Sequence, residues 1–305
     1  MHIRLLGTAA GGGVPQWNCN CLVCKEARSG SGRVRHRTQS SVAISADERN
    51  WFLVNASPDL RVQIEAFPPL QPPGDRARGS PIQAVLLTNA DLDHTLGVFL
   101  LREGEAFPVH ATGAVRESLQ QGSGLAQTMS AFCGLTWVKP PLEFSPLSNR
   151  DTSDSGLLYR AIPLGGGPPR YAAATSTASN HVVGYHFLDQ KTGGRLLCLP
   201  DVPTINQEIK TLLSDCEVLL FDGTFWCENE MQQRGAGETP ASQMGHMPIS
   251  GPNGSLVLLK ALNVKHKIYL HINNTNLILL ENSKERATVL AAGCVVGEDG
   301  MELTL

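Results

Sequence analysis

The residues Trp17-Asn18-Cys19-Asn20-Cys21-Leu22-Val23-Cys24 place three thiols in one hexapeptide as C-x-C-x-x-C. Thiols this close form a soft donor set of the kind that holds zinc tetrahedrally. No second cysteine pair has matching spacing, so the fourth ligand is expected from a histidine: His271 first, with His246 and His266 behind it. Redox catalysis would need a resolving partner that the sequence does not offer. The other five cysteines (Cys133, Cys198, Cys216, Cys227, Cys294) are scattered among apolar neighbours and read as small core residues.

A second cluster is Asn89-Ala90-Asp91-Leu92-Asp93-His94. In extended backbone Asn89, Asp91 and Asp93 would share one face. A mixed set of oxygen donors and an imidazole suits Fe²⁺, Mn²⁺ or Mg²⁺ better than a purely nitrogen set would. Asp93 alone could equally sit against a helix N-terminus.

The elements around these residues must bring them together. His2–Leu6, Ser41–Ser45 and Trp51–Asn55 read as strands. Ser57 and Pro58 read as the start of a short helix. Ile82–Leu87 is a nearly unbroken apolar run, as expected for a strand covered on both faces, and it ends at the acidic cluster. Further strands are expected at Tyr159–Ile162, Val182–Leu188, Leu196–Leu199, Val218–Phe221 and Lys267–Leu270. Helices are expected at Thr204–Leu213 and Ser255–Leu262. This alternation argues for a layered α/β fold. Three later strands run into Asp201, Asp222 and His271. Polar groups at strand C-terminal ends converge on one sheet edge, so Asp93, His94 and His271 are expected around one cation.

The chain has 305 residues, enough for a large core without disulfides. Lys+Arg 25 against Asp+Glu 28 gives a net charge of −3, which excludes a basic field for nucleic acid or anionic lipid. With 42% apolar and 17% charged residues the chain is not of the disordered class. The opening MHIRLLGTAAGGGVPQ lacks the features of a secretory leader, and no apolar run is long enough for a membrane helix. The expected location is cytoplasmic. Pro/Gly-rich breaks at Pro68–Gly79, Pro140–Asp154 and Gly165–Pro169 read as loops. Gly7–Gly13 is not a phosphate-binding loop, because no Lys-Ser/Thr follows. Its glycines would let the backbone pass close to the site.

The loop Asn89–His94 stands in the register where the metallo-β-lactamase superfamily carries H-x-H-x-D-H, with Asn89 and Asp91 replacing two histidines. More segments resemble the PqqB family of pyrroloquinoline quinone (PQQ) biosynthesis proteins. They are Gly7–Gly13 with PQWNCNCLVC, Arg37–Ser41, Asn55–Arg61, Asp222-Gly223-Thr224, Met244-Gly245-His246 and His271–Asn276. They run from one end of the chain to the other. Leu277 stands where this family would have proline. The resemblance implies an α/β fold, the αββα metallo-β-lactamase sandwich of two β-sheets flanked by helices. It implies a single domain over residues 1–305 with the zinc loop at 19–24. It also implies structural Zn²⁺ on Cys19, Cys21 and Cys24, a homodimer, and a precursor derived from a cross-linked Glu–Tyr peptide. Other PQQ biosynthesis proteins are further candidate partners.

By the same resemblance Asn89, Asp91, Asp93, His94, Asp201 and His271 are the candidate active-site metal ligands. Asp93, His94, His246 and His271 are the candidate catalytic residues, and His181 is a weaker match. Arg37 and Arg61 are candidate partners for substrate carboxylates, since the guanidinium fork matches two oxygens. Asn273 and Asn274 could hydrogen-bond the same substrate. Asp222 could buttress the site from behind.

The favoured function is a metal-dependent hydroxylase, with Fe²⁺ before Mn²⁺ or Zn²⁺, acting on the phenol ring of the tyrosine-derived precursor. Its metal face would be two histidines and a carboxylate, drawn from His94, Asp91 or Asp93, and His271. One alternative is a metal-dependent hydrolase. Another is a non-catalytic carrier of PQQ or its precursor that assists transport to the periplasm.

Overall fold

The computed structural model describes residues 1–74, 77–172 and 180–305, so two positions of the Pro68–Gly79 break lie outside the described residues. The chain forms two compact units interleaved in sequence. The first comprises Met1–Leu6, Ser41–Arg195 and Gly300–Leu305; the second comprises Gly7–Ser40 and Leu196–Asp299.

The first unit carries a seven-stranded mixed sheet. Its strands are β1 (His2–Gly7), β2 (Ser41–Ser45), β3 (Trp51–Val54), β4 (Ile82–Leu86), β5 (Phe107–His110), β6 (Leu135–Val138) and β14 (Glu302–Thr304). Their order is β14-β1-β2-β3-β4-β5-β6. Strands β3 to β6 run parallel, and β2 and β14 pair antiparallel with β3 and β1. All four residues of β3 and four of the five in β4 are buried, which is why these segments read as continuous apolar runs. Leu53, Val85, Val109 and Leu60 share one core with Trp51 and Phe67, whose rings meet edge to face at 5.1 Å. The same unit holds the antiparallel ladder of β7 (Ser145–Ser148), β8 (Asp154–Gly165) and β9 (Val182–Asp189).

The second unit carries parallel strands β10 (Arg195–Leu199), β11 (Val218–Asp222), β12 (His266–Leu270) and β13 (Val295–Val296). These belong with β7–β9 to the second mixed sheet. Every residue of β11 is buried, Asp222 included. The parallel strands end level with one another, so Asp222 closes β11 while Asp201 and His271 follow the ends of its neighbours.

The strands expected from the sequence all form, with ends shifted by a residue or two except at β8, which is three times the expected length. The short helix after Ser57 begins at Leu60, not Pro58. Ser57 Oγ is engaged with the Asp59 N–H and Gln63 Oε1, so Pro58 and Asp59 form a turn ahead of the helix. The helix expected from Thr204 begins at Gln207, because Asn206 accepts from the Ile209 N–H and caps it there. Cys198, Cys216 and Cys294 are buried as expected, whereas Cys133 and Cys227 are only half-buried.

Candidate metal centre

In the second unit Asp201, His246 and His271 each present a ligand atom, all within 4.8 Å of one another. The two imidazole rings stack with centroids 5.4 Å apart. Asp201 Oδ1 lies 3.6 Å from His271 Nδ1 and 3.9 Å from His246 Nδ1. Behind them, Asp222 Oδ2 accepts from His246 Nδ1 at 2.9 Å. Thr224 Oγ1 lies 2.9 Å from His271 Nδ1, 2.6 Å from Asp222 Oδ1 and 2.8 Å from the His271 carbonyl oxygen. These partners engage both Nδ1 atoms, as groups behind metal-binding histidines commonly do.

The electrostatics agree with that reading. Burial alone would raise Asp222, but the adjacent His246 and His271 and the Thr224 hydroxyl hold its carboxyl below the usual range. Burial would lower His246, yet Asp222 and Asp201 together raise it. Two imidazoles and one carboxylate suit Fe²⁺, and also Mn²⁺ or Zn²⁺. The expected face of His94, Asp91 or Asp93, and His271 has His271 in common with this group.

The first unit builds the acidic loop. Asn55 and Thr88 are paired twice, by Asn55 Nδ2 to Thr88 Oγ1 and by the Thr88 N–H to Asn55 Oδ1, both at 2.9 Å. His94 is buried, with Nδ1 2.9 Å from Asn89 Oδ1 and 3.2 Å from Thr88 Oγ1. His94 Nε2 lies 3.9 Å from Asp93 Oδ2. The expectation that Asn89, Asp91 and Asp93 share a face in extended backbone is not met. Asp91 is exposed at the N-terminus of the helix Leu92–Thr95, and Asp93 lies inside that helix. Asn89 Oδ1 is already shared by His94 Nδ1 and the Asp91 N–H, so Asn89 orients the imidazole. His181 is buried beside the start of β9.

Cys19, Cys21 and Cys24 form the third group, with sulfur atoms within 4.8 Å of one another. Burial and the neighbouring thiols push Cys21 up to about 12. Three sulfurs this close cannot all be anionic unless a cation supplies the opposing charge, so the donor set fits zinc. The expected fourth ligand needs correction. His271 and His246 are committed beside Asp201, and His266 lies at the opposite end of β12. Asn274 instead faces the sulfurs: its Nδ2 is 3.3 Å from Cys24 Sγ, and its carbonyl oxygen is 3.3 Å from Cys21 Sγ.

Two expected substrate contacts, Arg37 and Asn274, are corrected by burial. Arg37 is enclosed, with Nη1 donating to Thr8 Oγ1 at 2.9 Å and to the Gly297 carbonyl, and it serves the framework. Asn274 is buried against the cysteines. Asn273 is half-buried, with Nδ2 donating to Thr275 Oγ1 at 2.6 Å. Arg61 is exposed on the helix Leu60–Glu65. The sequence reading assigned no role to Thr224, which touches both histidines. Its signal was the D-G-T triplet directly after a buried strand. Leu277, in place of the proline expected in this family, does not unravel the turn: Leu277–Leu279 is a 3₁₀ turn capped by the Asn276 side chain.

The family model for the β-lactamase superfamily domain matches residues 50–272. The fold is thus the metallo-β-lactamase fold, with two mixed sheets flanked by helices. Coenzyme PQQ synthesis protein B of Pseudomonas putida (strain GB-1) is 40% identical over 307 residues, covering 100% of both chains. The crystal structure of Zn²⁺-bound PqqB from Methylobacterium extorquens superposes with a TM-score of 0.90 at 37% identity, covering 100% of both chains. A diphosphatase of the PhnP family shares the fold, with a TM-score of 0.68 at 20% identity over 99% of this chain and 96% of its own. Within the superfamily, the chain belongs to the coenzyme PQQ synthesis protein B family.

Proposed function

We propose that this protein acts in PQQ synthesis as a metal-dependent hydroxylase of the phenol ring in a tyrosine-derived Glu–Tyr precursor. The observation that carries the reading is the Asp201–His246–His271 group, two imidazoles and one carboxylate with both Nδ1 atoms already engaged. Fe²⁺ is the favoured ion. When bound, it would activate dioxygen, a role that two histidines and one carboxylate serve in non-haem oxygenases. In the balanced reaction one oxygen atom replaces a ring hydrogen as hydroxyl. The other leaves as water, with two electrons and two protons from an external reductant.

The chain's own groups do the positioning. Asp222 and Thr224 fix the imidazole protons at Nδ1, and Asn89 does the same for His94. Arg61 is the candidate for a precursor carboxylate. Zinc on the cysteines holds the N-terminal loop, where exposed Trp17 and Leu22 support a homodimer contact. No helix among the described residues is long and apolar enough to cross a membrane, and the cytoplasm is the proposed location.

The reading is tested by purifying the protein without oxygen, adding Fe²⁺, and supplying the Glu–Tyr precursor, a reductant and air. Oxygen uptake with a 16 Da gain in the precursor is expected. No uptake and an unaltered precursor would contradict it.

A further inference from the structure

Glu230 is buried at the start of the helix Glu230–Gln233 and lies outside both ligand sets. Its Oε1 accepts from Thr275 Oγ1 at 2.6 Å, and its Oε2 accepts from the Trp226 N–H at 2.5 Å. Burying a carboxyl group is costly unless its oxygens are matched by donors. Here both oxygens are matched, and the donors come from two different segments. Trp226 ends the segment that begins at Asp222, the last residue of β11. Thr275 lies in the segment His271–Asn276, after β12.

The same segments meet elsewhere. Asn276 Nδ2 donates to the Gly223 and Thr224 carbonyls, at 3.0 and 3.3 Å. The Asn273 N–H donates to the Thr224 carbonyl at 3.1 Å. Between these ties sits His271, whose φ of 55° is in the left-handed region. A non-glycine residue is strained there and persists only when its surroundings impose it. Thr224 Oγ1 reaches both the Nδ1 and the carbonyl oxygen of this residue.

We propose that Glu230 is a positioning residue: its carboxyl group clamps the Asp222–Trp226 segment to the His271–Asn276 segment and so sets His271 against Thr224 and Asp201. The inference rests on the reading of Asp201, His246 and His271 as a metal centre, but its first test needs no metal.

Full-length Glu230→Gln, Thr275→Val and Thr275→Ser proteins are compared with the parent chain. The imidazole ¹⁵N resonances of His271 are recorded without metal, and Mn²⁺ dissociation constants are then measured. Thr275→Val removes the donor at nearly constant volume, so it carries the test even where Glu230→Gln fails to fold. Displaced His271 resonances and about a tenfold weaker Mn²⁺ affinity are expected for Thr275→Val, with cysteine-bound zinc unchanged and Thr275→Ser restoring both signals. His271 resonances identical to those of the parent in Thr275→Val would overturn the clamp. A parent chain that takes up no Mn²⁺ would overturn the metal reading instead, and the resonances would still decide the clamp.

Discussion

Asp222 Oδ2 lies 2.9 Å from His246 Nδ1, and both groups are buried where β11 ends. The carboxylate holds the imidazole by its Nδ1 and stabilises whatever positive charge the ring acquires. Asp222→Asn retains the shape and loses the charge. Metal affinity is expected to fall roughly 10- to 100-fold, the usual cost of removing such an outer-shell partner. Equilibrium Mn²⁺ binding measures this, and an unchanged dissociation constant would show that Asp222 does not support the ligand.

The cysteine loop gives a second prediction. Cys21 lies in contact distance of both Cys19 and the Asn274 carbonyl. Cys21→Ser should reduce zinc from about one ion per chain to near none, because zinc binding needs the thiolate set. Elemental analysis decides it, together with a lower thermal midpoint. Retained zinc would remove the loop from the metal account.

His110 supplies a pH dependence. Burial holds its imidazole down at about 4, with Nδ1 2.7 Å from the Tyr159 hydroxyl oxygen. The unfolded chain, near 6.5, binds the proton more readily, so protonation favours unfolding. This contribution is complete above pH 6.5 and is lost progressively as pH falls through the folded value. Over that window it amounts to about 3 kcal/mol, at roughly 1.4 kcal/mol per unit. Denaturant titrations at pH 7, 6 and 5 should therefore show a shallower decline for His110→Gln than for the parent. Parallel declines would mean that His110 is not kept neutral.

Gly97 approaches the backbone after β3 too closely for a side chain. A Cβ there would meet the Ser57 carbonyl oxygen at 2.3 Å and Ala56 backbone atoms at 2.7 Å. The Gly97 N–H also donates to the Ala56 carbonyl at 2.9 Å. Gly97→Ala should cost about 1–3 kcal/mol, as overpacking does, and loosen the helix that carries His94. A change below about 0.5 kcal/mol in chemical denaturation, the level of a neutral surface substitution, would contradict the close approach.

Parallel strands β3, β4, β10, β11 and β12 were legible because they are almost wholly buried and run into polar residues such as Asn89, Asp201 and His271, whereas β5 and β6, also parallel, were not. Edge strands such as β7 and β13 were not, because half-exposed short segments carry little periodic signal. The cysteine spacing announced a metal site, but its neighbour Asn274 is 250 residues away from Cys24 and no local pattern links them. Arg37 looked like a substrate contact because its charge is visible in the sequence, whereas the Gly297 carbonyl that encloses it is visible only in the fold. Asn89 looked like a ligand for a similar reason. The contact that turns its oxygen toward His94 Nδ1 depends on the chain bending after Ala90 instead of staying extended.

The most direct test of the oxygenase account is a single turnover of the Fe²⁺-loaded protein with the Glu–Tyr precursor under ¹⁸O₂. Mass spectrometry of the product should find one ¹⁸O atom on the former tyrosine ring, with no incorporation when His271→Ala is used. Label entering from H₂¹⁸O instead, or an unlabelled and unchanged precursor, would contradict it: the first outcome marks a hydrolase and the second a carrier.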